Sequence, residues 1–157
     1  MERKRKRVRS LRKRGELTSV VNRTDNINSD DILLFCTLRN ERVRLPYFLE
    51  YYRNLGVNHF LFVENDSDDG SREYLEQQGD VTLWTTAQSY KRSKFGVDWL
   101  NALQSRYGVD HWSLVVDVDE FFIYPFCDSR PLRALTDWLE TRRGVSVRIE
   151  GDALRRY

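Results

Sequence analysis

The stretch Trp112-Ser113-Leu114-Val115-Val116-Asp117-Val118-Asp119-Glu120-Phe121-Phe122-Ile123-Tyr124 sets three acids inside an apolar, β-prone run. Short runs of this kind read as buried strands. An unpaired carboxylate inside one is costly to bury, so it must be paired, protonated or bound to a metal. Acids at the carboxyl end of a strand fit another place, the crevice where open α/β sheets bind ligands. Asp117 and Asp119 stand two apart and would share a direction in an extended chain. Two such carboxylates suit a hard cation, Mg²⁺ or Mn²⁺, which completes its shell with waters and substrate phosphates. An Asp-x-Asp in a solvated turn is the plain alternative.

Working outward, Ile32 to Leu38 is apolar almost throughout and reads as a buried first strand. Leu45, Phe48, Leu49, Tyr52 and Leu55 follow at helical spacing within 43–55, and Gly56 serves as the C-cap. Pro46 sits near the helix start, where proline is tolerated. Strands are expected at 58–64, 81–85 and 112–116, with a further one suggested after the acids and a last one at 145–149. Helices are expected at 72–78, 95–107 and 131–141, the last with Leu132, Leu135, Trp138 and Leu139 facing inward. This alternation predicts an α/β fold with a doubly wound, mainly parallel sheet. Three polar clusters then fall at strand ends: Arg39-Asn40-Glu41, Glu64-Asn65-Asp66 and Asp117-Val118-Asp119. The basic loop carrying Lys91, Arg92 and Lys94 lies between the last two.

The 157 residues suffice for one domain with a real core. Their net charge of +2 hides an asymmetry. Residues 1–14 hold nine Lys/Arg and one acid, whereas 15–157 hold 17 basic and 23 acidic side chains, a net of −6. The domain boundary is therefore placed at 30: a basic tail and a polar linker over 1–30, then one domain over 31–157. Such a tail can meet anionic lipid or nucleic acid through charge alone. It lacks the interleaved aromatics of a stacking surface, which argues against nucleic acid. Cys36 and Cys127 lack metal-ligand spacing and suggest a reduced compartment. His59 and His111 read as structural residues beside strand starts. No apolar run approaches the length of a membrane span, and the start lacks a signal peptide's apolar segment.

Four motifs together resemble the nucleotide-sugar-binding half of a family 2-like glycosyltransferase of GT-A, Rossmann-like fold. They are Cys36-Thr37-Leu38-Arg39-Asn40-Glu41; Pro46 to Tyr52 with Leu55-Gly56-Val57; Val63-Glu64-Asn65-Asp66-Ser67-Asp68-Asp69-Gly70-Ser71; and Asp117-Val118-Asp119-Glu120. The likeness covers about residues 32–140. It implies an enzyme that moves a sugar from a nucleotide-diphosphate sugar, with metal assistance and inversion. Leu38, Arg39 and Glu41 would contact the nucleoside, and Glu64 and Asn65 the base edge, where the family's usual residue is Asp. Lys91 and Lys94 would lie near the diphosphate. Asp117 and Asp119 would bracket ribose and metal, Mn²⁺ or Mg²⁺, with Asp119 the direct ligand.

The resemblance leaves the acceptor open, a saccharide or a lipid-linked saccharide, as in polysaccharide biosynthesis. It leaves the general base unassigned, because only 37 residues follow Glu120 and their arginine-rich run does not resemble the family. A truncated or frameshifted product, lacking the acceptor half, is expected on that reading. Location would be cytoplasmic, with peripheral membrane contact through the tail. The alternatives are a nucleotide- or metal-binding domain without transfer, and nucleic-acid binding through the tail. Plain readings stand beside the residue roles: Lys91, Arg92 and Lys94 as a solvated loop, Glu64 as a cap, and Phe121, Phe122 and Tyr124 as core.

Overall fold

A computed structural model describes residues 15–141 and 153–156. Six strands form one sheet: β1 (Thr18–Val21), β2 (Ile32–Leu38), β3 (His59–Glu64), β4 (Val81–Thr85), β5 (Trp112–Val115) and β6 (Ala153–Arg156). The helices are α1 (Leu45–Leu55), α2 (Ser71–Glu76), α3 (Val97–Tyr107) and α4 (Leu132–Thr141). Strand order across the sheet is β1-β4-β3-β2-β5-β6. The four central strands are parallel, and β1 and β6 pair antiparallel at the two edges. The α/β class and the mainly parallel sheet expected from the sequence are present. No helix among the described residues is long and apolar enough to cross a membrane.

All seven residues of β2 are buried, as a central strand covered on both faces requires. Its side chains alternate between two apolar cores. Ile32, Leu34, Cys36 and Leu38 face α1, α2 and α4, whereas Leu33 and Phe35 face Trp99, Leu100 and Leu103 of α3. Helices on both faces, joined by crossovers between parallel strands, make the sheet doubly wound. Chain order runs outward from β2 to β3 and β4, then returns past β2 to β5. The carboxyl ends of β2 and β5 therefore flank the point where strand order reverses, the crevice where such sheets bind ligands. In α1, Pro46 occupies the first turn and Gly56 closes the helix at φ 104°, a left-handed conformation that glycine takes without strain.

Four local readings are corrected. Residues 15–30 are not simply a linker, because Thr18–Val21 pairs with β4 as an edge strand. Beside it, Trp99 Nε1 donates to Glu16 Oε2 at 2.9 Å, and Arg23 donates to the Val81 and Glu76 carbonyls. No strand forms after the acids: Phe122 and Tyr124 are buried, but Phe121 and Ile123 face solvent in irregular backbone. Helix α3 starts at Val97 rather than 95, because Lys94 and Phe95 are left-handed at φ 51° and 57°. Trp138 stands 47% exposed, and Thr136 takes the inward position on α4. The strand expected at 145–149 lies outside the described residues.

His59 begins β3, as expected, and is buried with Nε2 2.8 Å from Thr82 Oγ1. Burial lowers its pKa below the ordinary histidine value. The unfolded chain thus takes up this proton at higher pH than the native one. Native stability should fall as pH drops below about 6.5, where the unfolded histidine titrates, and level off below the lowered native value. Urea titrations at stepped pH check this. A His59→Gln variant should flatten the slope between pH values of about 7 and 5.5.

Candidate functional site

A cleft of about 310 Å³ opens at the carboxyl edge of the sheet, lined by Thr37, Leu38, Arg39, Glu41, Asn65, Tyr90, Asp117, Val118 and Asp119. Its residues come from the ends of β2, β3 and β5 and from the loop after β4. The cleft thus occupies the point of strand-order reversal.

The acids of the opening stretch lie here, but not in an extended chain. β5 ends at Val115, and residues 117–120 form a turn in which Glu120 N–H donates to the Asp117 carbonyl at 3.0 Å. Val118 is buried at the turn's centre, while Asp117 and Asp119 are exposed on either side of it. A turn, rather than strand pleat, brings the two carboxylates to one cleft. Two tyrosines of α1 hold that turn. Tyr51 Oη donates to the Phe122 carbonyl at 2.9 Å, and Tyr52 Oη donates to the Glu120 carbonyl at 3.0 Å. Tyr52 Oη also accepts from Phe122 N–H at 3.1 Å. Sequence reading placed Tyr52 in the core but missed this second role. A buried tyrosine hydroxyl needs a partner, and that was the available signal. Tyr52→Phe leaves the Glu120 carbonyl and Phe122 N–H unpaired, so a loss of about 2 kcal/mol is expected by urea denaturation.

The loop after β2 is clasped by the loop after β3. Asn40 N–H donates to Ser67 Oγ, Glu41 N–H to Ser71 Oγ and Arg42 N–H to Asp69 Oδ2. Asp68 N–H donates back to Asn40 Oδ1 at 3.0 Å. Burial pushes the Asp69 carboxyl up, but hydrogen bonds from Ser71 and Arg42 outweigh it and hold the acid below its ordinary value. The Asp-Asp-Gly-Ser segment therefore shapes the cleft wall from behind. Glu64 is 2% exposed and does not line the cleft; it accepts from Thr85 Oγ1 at 2.7 Å and from Ser67 N–H. Its carboxylate supports the turn after β3 and does not cap α2, whose N-terminus has no side-chain cap.

Asn65 does line the cleft. Its side-chain amide donates to the Thr86 carbonyl at 2.8 Å and the Gln88 carbonyl at 3.1 Å, fixing the start of the loop that carries Tyr90. Tyr90 was missed by sequence reading, since a lone aromatic on a polar loop carries no periodic signal. Lys91 and Lys94 stand on the same loop, exposed and outside the cleft lining. Arg39 is the cation that the cleft itself contains.

The electrostatics of the cleft are negative. The Asp117 carboxyl is raised above its ordinary value, first by burial and then by the charges of Glu120 and Asp119. The buried Cys36 thiol is pushed up by burial and by Asp117, Glu41, Asp119 and Glu120. Glu41 is compensated by Arg44 at 2.5 Å, whereas Asp117 and Asp119 have no ion-pair partner among the described residues. Those two carboxylates are the hard oxygen donors the cleft offers to a cation. No group of three or more His, Cys, Asp or Glu side chains able to hold a metal forms among the described residues. A hard ion there would take the rest of its shell from water and ligand oxygens, as Mg²⁺ commonly does. No protein-family model matches the chain, and no curated protein matches it.

Proposed function

We propose that the cleft binds a nucleotide-diphosphate sugar, and that the chain is the donor-binding part of a family 2-like glycosyltransferase of GT-A type. One observation carries this reading. Two uncompensated carboxylates, one arginine and the end of the central strand converge where strand order reverses. Asp117 and Asp119 would hold Mn²⁺ or Mg²⁺, which when bound would supply Lewis-acid neutralisation of phosphate charge. Arg39 adds a positive charge to the cleft wall, where it would contact the nucleoside part of the donor. Glu41 N–H and Asn40 N–H are held by Ser71 and Ser67, which fixes the loop against the nucleoside. Asn65 has its amide donors on Thr86 and Gln88, so its carbonyl oxygen is left to accept from a base edge. Lys91 and Lys94, outside the cleft lining, are not assigned to the diphosphate.

Calorimetric titration with UDP, with and without Mn²⁺, tests the proposal. Binding that requires the ion is the expected result. No binding of UDP, GDP or other nucleoside diphosphates in either condition would overturn it.

A further inference from the structure

From the loop after β4 into the first residue of α3 the chain runs Ser89-Tyr90-Lys91-Arg92-Ser93-Lys94-Phe95-Gly96-Val97. Ser93 and Gly96 are buried and pin this loop to the body. Around those anchors, large apolar side chains face water: Phe95 is 64% exposed, Val97 49% and Tyr90 40%. The Phe95 ring meets Tyr90 edge-on at 5.7 Å. Lys91, Arg92 and Lys94 are exposed among them, and none has an ion-pair partner among the described residues. Residues 86–97 hold these three bases and no acid, although residues 15–157 as a whole are net negative. The backbone at Lys94 and Phe95 is left-handed, a conformation that a bulky L-residue rarely adopts. Phenylalanine is thus displayed in solvent in a backbone conformation that disfavours it, and a functional surface is the usual setting for such a combination.

The chemistry of the patch identifies its occupant. An aromatic ring settles at the headgroup level of a bilayer, and basic side chains beside it reach anionic headgroups. Apolar area and cationic charge on one surface are the two contributions that interfacial binding combines. A single-stranded nucleic acid would stack bases on aromatic faces, and Val97 offers none. We propose that residues 90–97 form a docking loop that seats the protein on an anionic phospholipid surface. Because Tyr90 also lines the cleft, docking places the cleft mouth beside the headgroups. The inference does not depend on what the cleft binds. The nine Lys/Arg of residues 1–14 would also attract anionic lipid, but by charge alone, which salt screens.

The test is sedimentation of the full chain with vesicles of phosphatidylcholine, with or without about 30% phosphatidylserine, at low salt and at about 0.5 M salt. Phe95→Asn and Phe95→Gly both suit a left-handed backbone and remove the ring. Each is expected to lower partitioning onto the anionic vesicles about tenfold at both salt levels. Arg92→Gln is expected to lower it about fivefold, at low salt only. Thermal melts matching the parent chain would show that the loss is not unfolding. Absence of vesicle binding, or binding equal in all variants, would overturn the proposal and leave any attraction to residues 1–14. So would retention of single-stranded RNA that depends on Phe95 without preference for phosphatidylserine.

Discussion

Asp119→Ala is expected to remove the divalent-ion-dependent part of nucleotide affinity, a loss on the order of a hundredfold, with little change in the unfolding midpoint. Asp119 is exposed on the turn that follows β5, and its carboxylate makes no hydrogen bond or ion pair among the described residues. Removing it therefore breaks no contact of the fold. It does remove one of the two uncompensated carboxylates in the cleft, and with it a charge that holds the Asp117 carboxyl above its ordinary value. The Asp117 pKa should drop in the variant. In the parent chain the raised Asp117 protonates at higher pH than an ordinary aspartate, so ion-dependent binding should weaken early on acidification. Titration with UDP and Mn²⁺ across pH reads both effects. Ion-dependent affinity unchanged in Asp119→Ala would take Asp119 out of the site.

Gly96→Ala is expected to cost about 3 kcal/mol of stability, for two separable reasons. Gly96 has φ 81°, which alanine adopts at a cost of about 1 kcal/mol. A β-carbon there would also meet Thr37 Oγ1 at 2.8 Å and Thr37 Cβ at 2.9 Å. Thr37 cannot readily yield, because it is buried and its backbone pairs with Val63 of β3. Overpacking of this kind typically costs about 1–3 kcal/mol. In a Thr37→Gly background, which removes Oγ1 and Cβ alike, Gly96→Ala should lose only the conformational part. Urea denaturation of the four proteins forms the cycle that separates the two. Additive losses would show that the loop shifts away from Thr37. Thr37 lines the cleft, so nucleotide binding in Gly96→Ala is a second readout.

The sheet was legible because its central strands are local events. Ile32 to Leu38 is apolar on both faces, and only a strand covered on both sides buries every residue. The face of α1 was legible for the same reason, since a 3.6-residue period records one buried stripe. The polar clusters at 39–41, 65 and 117–119 could be placed at one edge because parallel strands end together. Within that edge, side-chain roles were not legible. Glu64 and Asn65 are neighbours, yet one is buried beneath the turn and the other lines the cleft. The difference comes from Thr85, twenty-one residues away, whose hydroxyl donates to the Glu64 carboxylate.

Strand β1 shows the limit most plainly. Thr18-Ser19-Val20-Val21 is short and polar at its start, and it becomes a strand because Leu83, Trp84 and Thr85 of β4 offer an open edge. Edge pairing is supplied by the partner, so a polar stretch can satisfy it. The direction of Asp117 and Asp119 was decided likewise, by a turn that Tyr51 and Tyr52 anchor from a helix some seventy residues earlier. By itself, the sequence determined which segments are buried, their alternation and the edge on which charge gathers. Those follow from hydrophobic periodicity, which is written in near neighbours. Tertiary structure alone decided which carboxylates face the cleft, which are consumed as internal acceptors and which aromatic rings stay in water. Those outcomes depend on hydrogen-bond partners distant in the chain, and local periodicity does not encode them.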